Sequence, residues 1–277
     1  MYGVIPTQPF TVGSGEARFD RQGDSITLYI NDVPSSQWFL SDPGELEFEY
    51  MRWMIAAIGS VFPTDQRLSA LHLGAAACSL PRAIAHLWPR SRHLAVELDP
   101  VLADIVRQHV TLPRAPVLRI RVADAVPTLL ARPSSSHDLI ICDAFDADMT
   151  TPVGLLDDTA AAAAARVLKP GGLYLANLAD TPGLPNSHRQ IRTLARHFAY
   201  TGFITEPAQL RGRRLGNVVV LARHIALDAT QDQNLSRKLA ADGFPARLVA
   251  GGDALLWAGL GRGLDAGLGQ GLDVTGL

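Results

Sequence analysis

Residues 68–98 read LSALHLGAAACSLPRAIAHLWPRSRHLAVEL, two short apolar segments separated by a helical pattern. Ser69–Gly74 predicts a first strand, Leu80–Trp88 a helix, and His93–Leu98 a second strand. Short apolar strands that alternate with helices are typical of βαβ units, in which the strands lie parallel and buried. This stretch therefore predicts a parallel sheet covered by helices.

The same alternation continues toward the C-terminus. Strands are predicted at Leu118–Val122, Asp138–Cys142 and Gly172–Leu178, and helices at Val101–Val110 and Thr159–Leu168. The pattern thus supplies five strands for the parallel sheet.

Two further strands are predicted at Phe203–Pro207 and Gly216–Ala222, joined by AQLRGRRL. This linker is too short for a helical crossover, so it favours an antiparallel hairpin at the sheet edge. One or two helices are expected within residues 229–258, and the Gly-Leu repeats from Gly259 onward predict disorder.

The chain before the parallel sheet has a different pattern. Residues 1–23 are rich in glycine and polar residues and predict a loose arm, whereas Asp24–Asn31 and Gln37–Leu40 predict a β-hairpin. A helix is expected to begin at Ser41–Pro43, because proline suits a first helical turn, and to run to about Ile58. A small N-terminal β unit therefore precedes the sheet.

Composition excludes several classes of protein. The 277 residues are 47% hydrophobic and 19% charged, with a net charge of -2, so no cationic surface favours nucleic acid as the main partner. Two cysteines cannot form a disulfide framework, which fits a reducing cytoplasm. We expect no membrane span, since no apolar run approaches ~18 residues. We also expect no signal peptide and a cytoplasmic location.

The carboxyl ends of the parallel strands are where a ligand is expected. The turn Gly74–Cys78 has only small side chains, which let a ligand approach the backbone. The alternative is a tight turn between strand and helix, which also requires small side chains. Glu97 ends the second strand, where a carboxylate can bind the two hydroxyls of a ribose; the alternative is a surface acid. Asp124 follows the third strand and either accepts a hydrogen bond from an adenine amine or caps a helix.

The fourth strand ends in an acidic cluster, Asp143, Asp146 and Asp148. These carboxylates are suited to orienting an amine and accepting its proton. A solvated acidic loop and a divalent metal site are the alternatives, but no His or Glu lies nearby in sequence to complete a metal site. Cys78 and Cys142 follow neighbouring strands and are interpreted as small buried hydrophobic residues rather than reactive thiols.

With these features the chain resembles the spermidine synthase family, the aminopropyltransferases on the methyltransferase-type Rossmann-like fold. The similarity covers roughly residues 24–250, and its most specific part is HDLIICDAFDADMTTP at 137–152. By this resemblance Asp143 helps to deprotonate the attacking amine and Asp146 positions the substrate.

The resemblance also assigns binding residues. It implies that the nucleoside is bound by Gly74, Ala75, Ala77, Glu97, Asp124 and Ala125. The segment ELEFEYMRWM at 45–54 loosely matches the family segment that lines the polyamine site, so Glu49, Tyr50 and Asp148 are assigned to the amine substrate. One departure is clear: the family's Gly-Gly-Gly-Asp-Gly turn is here Gly74–Cys78, with Ala77 where the family's aspartate would hold the aminopropyl amine.

The expected protein is therefore an α/β transferase whose mostly parallel sheet has an antiparallel edge hairpin. Residues 1–62 form the arm, hairpin and helix, 63–250 the nucleoside-binding catalytic domain, and 251–277 a Gly-rich tail. The expected co-substrate is decarboxylated S-adenosylmethionine or S-adenosylmethionine, without a metal, and the acceptor is a small amine such as a polyamine. Methyl transfer and a non-catalytic nucleoside-binding protein remain alternatives for the function. For the oligomeric state, a homodimer remains an alternative to a monomer.

Overall fold

The computed structural model describes residues 5–146 and 150–260, so the predicted disorder beyond Leu260 lies outside the described residues. Its first part is an antiparallel sheet of four sequential strands, namely β1 Phe10–Val12, β2 Gly15–Gln22, β3 Ser25–Ile30 and β4 Val33–Phe39. The predicted hairpin is confirmed as β3 and β4. The predicted loose arm is wrong over residues 10–22, because alternate apolar residues such as Ala17 and Phe19 are buried in this sheet beside Trp38.

Helix α1 spans Glu49–Val61 and begins later than predicted. Residues 41–48 form a turn instead, in which the Asp42 carboxylate accepts a hydrogen bond from the backbone N–H of Gly44. The helix then runs along one face of the large sheet, where Trp53 and Met54 are fully buried.

The large sheet contains eight strands in the order β12-β10-β11-β9-β8-β5-β6-β7. Their bounds are β5 Ser69–Leu73, β6 Arg92–Glu97, β7 Leu118–Val122, β8 His137–Cys142, β9 Leu168–Asp180, β10 Tyr200–Thr205, β11 Gly216–Arg223 and β12 Arg247–Ala250. Strands β5 to β9 pair in parallel, which confirms the predicted parallel sheet. Strand order reverses between β5 and β8, and ligands of such sheets bind at this point.

The antiparallel hairpin is also present, as β10 and β11, but it lies one strand inside the sheet edge. Strand β11 pairs with β9, and β12, within a region predicted to be helical, pairs with β10 and forms the edge. Strand β12 is only four residues long, with three apolar residues, too short to be distinguished by periodicity from the helices beside it.

Helices cover both faces of the large sheet. The remaining helices are α2 Ser79–Leu87, α3 Pro100–His109, α4 Ala125–Leu130, α5 Val153–Leu156, α6 Asp158–Val167, α7 Pro185–Leu194, α8 Pro207–Leu210, α9 Ala229–Ala241 and α10 Gly252–Trp257. Helices α1, α2 and α9 pack on one face, and α4 to α7 on the other. The N-terminal sheet packs against α3 and the Gly74–Cys78 turn. Helix α10 occupies the first part of the predicted tail, and no helix within the described ranges has the length and apolar composition to cross a membrane.

Candidate functional site

A cavity of about 730 Å³ opens at the carboxyl ends of the parallel strands. Its walls combine the N-terminal sheet, α1, and the loops that follow β5 to β8. The predicted site residues that line it are Glu49, Tyr50, Gly74, Ala75, Glu97, Asp124, Ala125, Asp143 and Asp146. Asp148 lies outside the described residues.

Ala77 is the predicted binding residue that the structure places elsewhere. It is fully buried among residues of the N-terminal sheet, and its backbone N–H donates to Oγ of Ser36 at 3.1 Å. The turn bends Ala77 away from the cavity because Ala76 and Cys78 adopt left-handed backbone angles, with φ of 42° and 60°. Its side chain therefore packs against the N-terminal sheet and does not contact a ligand in the cavity.

Gly74 lets the loops after β5 and β8 meet. Its φ is +94°, and a Cβ there would lie 2.3 Å from the carbonyl oxygen of Asp143, so only glycine fits. The Asp143 N–H donates to the carbonyl of Leu73 at 2.9 Å. This close approach fixes the Asp143 backbone at the switch point of the sheet.

Glu97 is held by three backbone N–H groups. One carboxylate oxygen accepts from Ala76 at 2.9 Å and from Ala75 at 3.4 Å, and the other accepts from Asp99 at 3.0 Å. Burial raises the pKa of Glu97, and these hydrogen bonds oppose that rise. Since a carboxylate has about four acceptor positions, the fixed Glu97 retains capacity for a hydroxyl donor in the cavity.

Asp99 links the N-terminal sheet to this part of the site. One of its oxygens caps α3 by accepting from the N–H groups of Val101 and Leu102, and the other accepts from the N–H of Gly13. Ser14, in the same β1–β2 turn, lines the cavity. Neither Asp99 nor this turn was predicted to belong to the site, because their proximity depends on how the N-terminal sheet packs on the rest of the chain.

Asp124 caps a helix, which was one of its two predicted roles, and its contact with an adenine amine stays a prediction. Its side chain accepts from the backbone N–H of Val126 at 2.9 Å and so caps α4, and it also lines the cavity. The capping bond fixes the side chain next to Ala125 at the end of β7.

The cavity contains an acidic centre built around Asp143. The hydroxyl of Tyr50 donates to Oδ2 of Asp143 at 3.0 Å, and the side-chain amide of Asn177 donates to Oδ1 at 3.1 Å. Burial raises the pKa of Asp143, while both hydrogen bonds lower it. Burial and the neighbouring charge raise the pKa of Tyr50 well above its ordinary value, so Tyr50 stays a donor.

A second carboxylate, Glu49, lies on the same wall. It accepts a hydrogen bond from the side-chain amide of Asn217 at 2.8 Å. Asn177 on β9 and Asn217 on β11 were not predicted as site residues, although each is the single amide side chain of its strand. Asn177 is 1% exposed, and its Oδ1 has no hydrogen-bond partner within the described part of the chain, so a bound donor group can satisfy it.

Asp146 lies at the exposed mouth of the cavity, and its N–H donates to the carbonyl of Thr150 at 2.8 Å. Cys78 and Cys142 are fully buried, and burial raises the pKa of each thiol to about 12, as expected for inert hydrophobic residues. Within residues 5–146 and 150–260, no three His, Cys, Asp or Glu side chains are grouped as a metal site.

Comparisons with known proteins support the resemblance through structure. No protein-family model matches the sequence, and no curated protein matches it significantly. A probable spermidine synthase from Corynebacterium glutamicum is 29% identical, with a TM-score of 0.86 over 97% of this chain and 99% of that chain. The chain is therefore similar to this probable spermidine synthase over nearly its whole length.

Other solved structures share the fold at lower identity. A spermidine synthase in complex with the transition state analogue AdoDATO has a TM-score of 0.59 and 13% identity over 88% of this chain and 79% of that chain. Human methyltransferase-like protein 13 in complex with SAH has a TM-score of 0.56 and 20% identity over 71% of this chain and 94% of that chain. At these identities the likeness concerns the fold alone.

Proposed function

We propose that this spermidine synthase-like protein transfers an aminopropyl group from decarboxylated S-adenosylmethionine to the nitrogen of a small amine. The observation that carries the proposal is the Asp143 carboxylate, held between Tyr50 and Asn177 on the wall of a cavity that fits a nucleoside-sized ligand. A carboxylate in this position attracts an ammonium group and accepts its proton. The neighbours solved with SAH and AdoDATO support a ligand related to S-adenosylmethionine.

The nucleoside is assigned to the end of the cavity near β6 and β7. Glu97 accepts hydrogen bonds from the ribose hydroxyls, and Asp124 accepts from the adenine amine. Small side chains at Gly74 and Ala75 let the nucleoside approach the backbone. In this assignment the side chains that bind the nucleoside, Glu97 and Asp124, are different from the Asp143 side chain that accepts the proton.

Transfer is an in-line displacement. The uncharged amine nitrogen attacks the carbon beside the sulfonium, a carbon–nitrogen bond forms, and the carbon–sulfur bond breaks with its electron pair left on sulfur. The leaving group is the neutral thioether methylthioadenosine, which needs no acid. Before the attack, Asp143 takes a proton from the ammonium group of the acceptor, which leaves the nitrogen uncharged. Glu49 supplies a second negative charge that holds the cationic acceptor in the cavity.

A second candidate, methyl transfer from S-adenosylmethionine, is favoured by one observation. The Gly74–Cys78 turn carries no carboxylate, and Ala77 lies away from the cavity, so this turn has no side chain to pair with the amine of an aminopropyl chain. Methyl transfer does not need that pairing.

Product analysis distinguishes these functions. The protein is incubated with decarboxylated S-adenosylmethionine or S-adenosylmethionine and a panel of diamines and polyamines, and products are identified by mass spectrometry. Methylthioadenosine together with an amine heavier by one aminopropyl group supports the proposal. S-adenosylhomocysteine with a methylated amine supports the second candidate. No product with either donor, in a protein that binds methylthioadenosine, would instead favour a non-catalytic nucleoside-binding protein.

A further inference from the structure

A buried histidine, His72, lines the inner part of the cavity and has no role in the proposed transfer. It lies on the central strand β5 and is 1% exposed. In the β5–β8 pairing His72 lies opposite Ile141, and Asp143 follows two residues later, so both side chains are on the same face of the sheet. At ~3.3 Å per residue, His72 is about 6–7 Å deeper than Asp143 along the strands.

His72 begins a hydrogen-bonded chain that leads away from the cavity. Its Nε2 lies 3.0 Å from Nδ1 of His93, and Nε2 of His93 lies 2.7 Å from Oγ of Ser91. The Ser91 hydroxyl donates to the carbonyl of Trp88 at 2.6 Å. The side chains of His72, His93 and Ser91 are all buried.

This series of hydrogen bonds determines which histidine nitrogens carry protons. The single hydroxyl proton of Ser91 is used by the Trp88 carbonyl, so Ser91 accepts from Nε2–H of His93. Burial lowers the pKa of His93 to about 4, so at neutral pH its ring has one N–H and its Nδ1 is an acceptor. Nε2 of His72 must then donate to it, which leaves Nδ1 of His72 without a proton.

The unprotonated Nδ1 is available to a ligand. Burial also lowers the pKa of His72 well below its ordinary value, so the ring stays neutral. Within the part of the chain that the structure describes, Nε2 has a hydrogen-bond partner and Nδ1 has none. Because His72 lines the cavity, the lone pair on Nδ1 can accept a hydrogen bond from a bound ligand.

We infer that His72 is a substrate-binding residue whose Nδ1 accepts a hydrogen bond from an N–H group of the bound amine at the inner part of the cavity. The inference rests on the proposed function for the identity of the ligand as an amine. The lone pair favours an N–H donor there and disfavours a carboxylate, which has only acceptors at neutral pH. Ser91 and His93 are positioning residues, since they act through the tautomer of His72.

Nitrogen-15 NMR of histidine-labelled protein tests the tautomer and the contact without any turnover. The His72 signals are assigned by their loss in His72→Phe, or by histidine side-chain correlations if that variant does not fold. We expect a protonated Nε2 and an unprotonated Nδ1, and we expect added 1,4-diaminobutane to shift the Nδ1 signal saturably. A proton on Nδ1, or an Nδ1 signal that 1,4-diaminobutane does not move, would overturn the inference even if product analysis upholds the transferase.

Variants separate substrate binding from packing. His72→Phe keeps a ring but removes the acceptor, and His72→Asn keeps an acceptor oxygen close to the position of Nδ1. We expect the KM for the amine to rise about tenfold in His72→Phe, with kcat changed much less, and to be partly restored in His72→Asn. A KM for the amine that equals wild type in both variants would refute the role of His72.

Ser91→Ala provides a test that leaves His72 in place, because Ser91 is not a cavity residue. Without its acceptor, His93 can move its proton to Nδ1, and His72 then carries a proton on the nitrogen that faces the ligand. We expect the NMR signals to show this partial change of tautomer and the KM for the amine to rise. An altered tautomer with an unaltered KM would show that His72 is a packing residue only.

Discussion

The hydroxyl of Tyr50 lies 3.0 Å from Oδ2 of Asp143, although 93 positions separate the two residues in the chain. Tyr50 comes from the helix that follows the N-terminal sheet, and Asp143 from the end of the parallel strand β8. Asn177, on β9, binds the other oxygen of the same carboxylate. The Asp143 carboxylate is thus oriented by side chains from two other elements, α1 and β9.

Asp143→Asn is expected to reduce turnover by ~10²–10⁴-fold, the usual effect of removing a general base. The substitution is nearly isosteric but accepts no proton, so affinity for methylthioadenosine should stay close to wild type. Steady-state kinetics and calorimetry measure the two quantities. Asp158→Asn is the matched control, because Asp158 is exposed and lies outside the cavity. Turnover by Asp143→Asn equal to that of the control would refute the proposed base.

Tyr50→Phe is expected to move the acid limb of the pH–rate profile to higher pH. The Tyr50 hydrogen bond lowers the pKa of Asp143, so its loss lets that pKa rise and delays formation of the carboxylate. Tyr174→Phe makes the same change at a buried tyrosine outside the cavity and should leave the profile in place. An unmoved acid limb in Tyr50→Phe would argue against coupling between Tyr50 and Asp143.

Asp143 should also make stability depend on pH. Burial raises the pKa of Asp143 in the folded protein above its ordinary value of 3.8, so the folded state binds more protons than the unfolded state over the interval above that value. The stabilising effect of protonation is present at low pH and is lost as pH rises through the folded pKa. Relative to Asp143→Asn, wild type should therefore lose melting temperature as pH rises from about 4 toward neutrality. A difference that is constant over this range would contradict a raised pKa.

Glu97→Gln is expected to weaken methylthioadenosine binding about tenfold or more. Hydrogen bonds to a charged group contribute ~1.5–3 kcal/mol each, and glutamine lacks that charge. Calorimetry measures the affinity, and a melting curve checks that the Ala75–Ala76 backbone is still held. Glu47→Gln, at an exposed position outside the cavity, should bind like wild type. Unchanged affinity in a folded Glu97→Gln protein would remove Glu97 from the nucleoside site.

Gly74→Ala is expected to lower both stability and nucleoside affinity. The added Cβ would lie 2.3 Å from the carbonyl oxygen of Asp143 at a φ of +94°, so the loops after β5 and β8 must separate. Gly171→Ala is a control, because a Cβ there meets no atom within 4 Å. Melting temperature and methylthioadenosine affinity close to those of the control would show that the two loops are not held together at Gly74.

The sequence alone determined the parallel sheet and the loop that carries Asp143. Apolar runs such as Leu139–Cys142 predict buried strands, because both faces of a parallel sheet are covered by helices and most side chains in such a strand are apolar. Residues directly after these strands share one edge of the sheet, so Glu97, Asp124 and Asp143 could be assigned to one site from their positions in the chain. These predictions needed only the direction of each strand and its neighbours in sequence.

Packing between elements decided the rest. The strands in residues 10–22 bury alternate side chains against α3 and the large sheet, and local periodicity does not contain these contacts. The bond from Asn177 to Asp143 requires β9 to pair with β8, and the bond from Asn217 to Glu49 requires α1 to pack against β11. Ala77 has the right place in the chain for a ligand contact, but the left-handed backbone of its turn directs it into the core. Sequence spacing fixes which strand end a residue follows, whereas backbone angles and inter-element packing fix where its side chain lies.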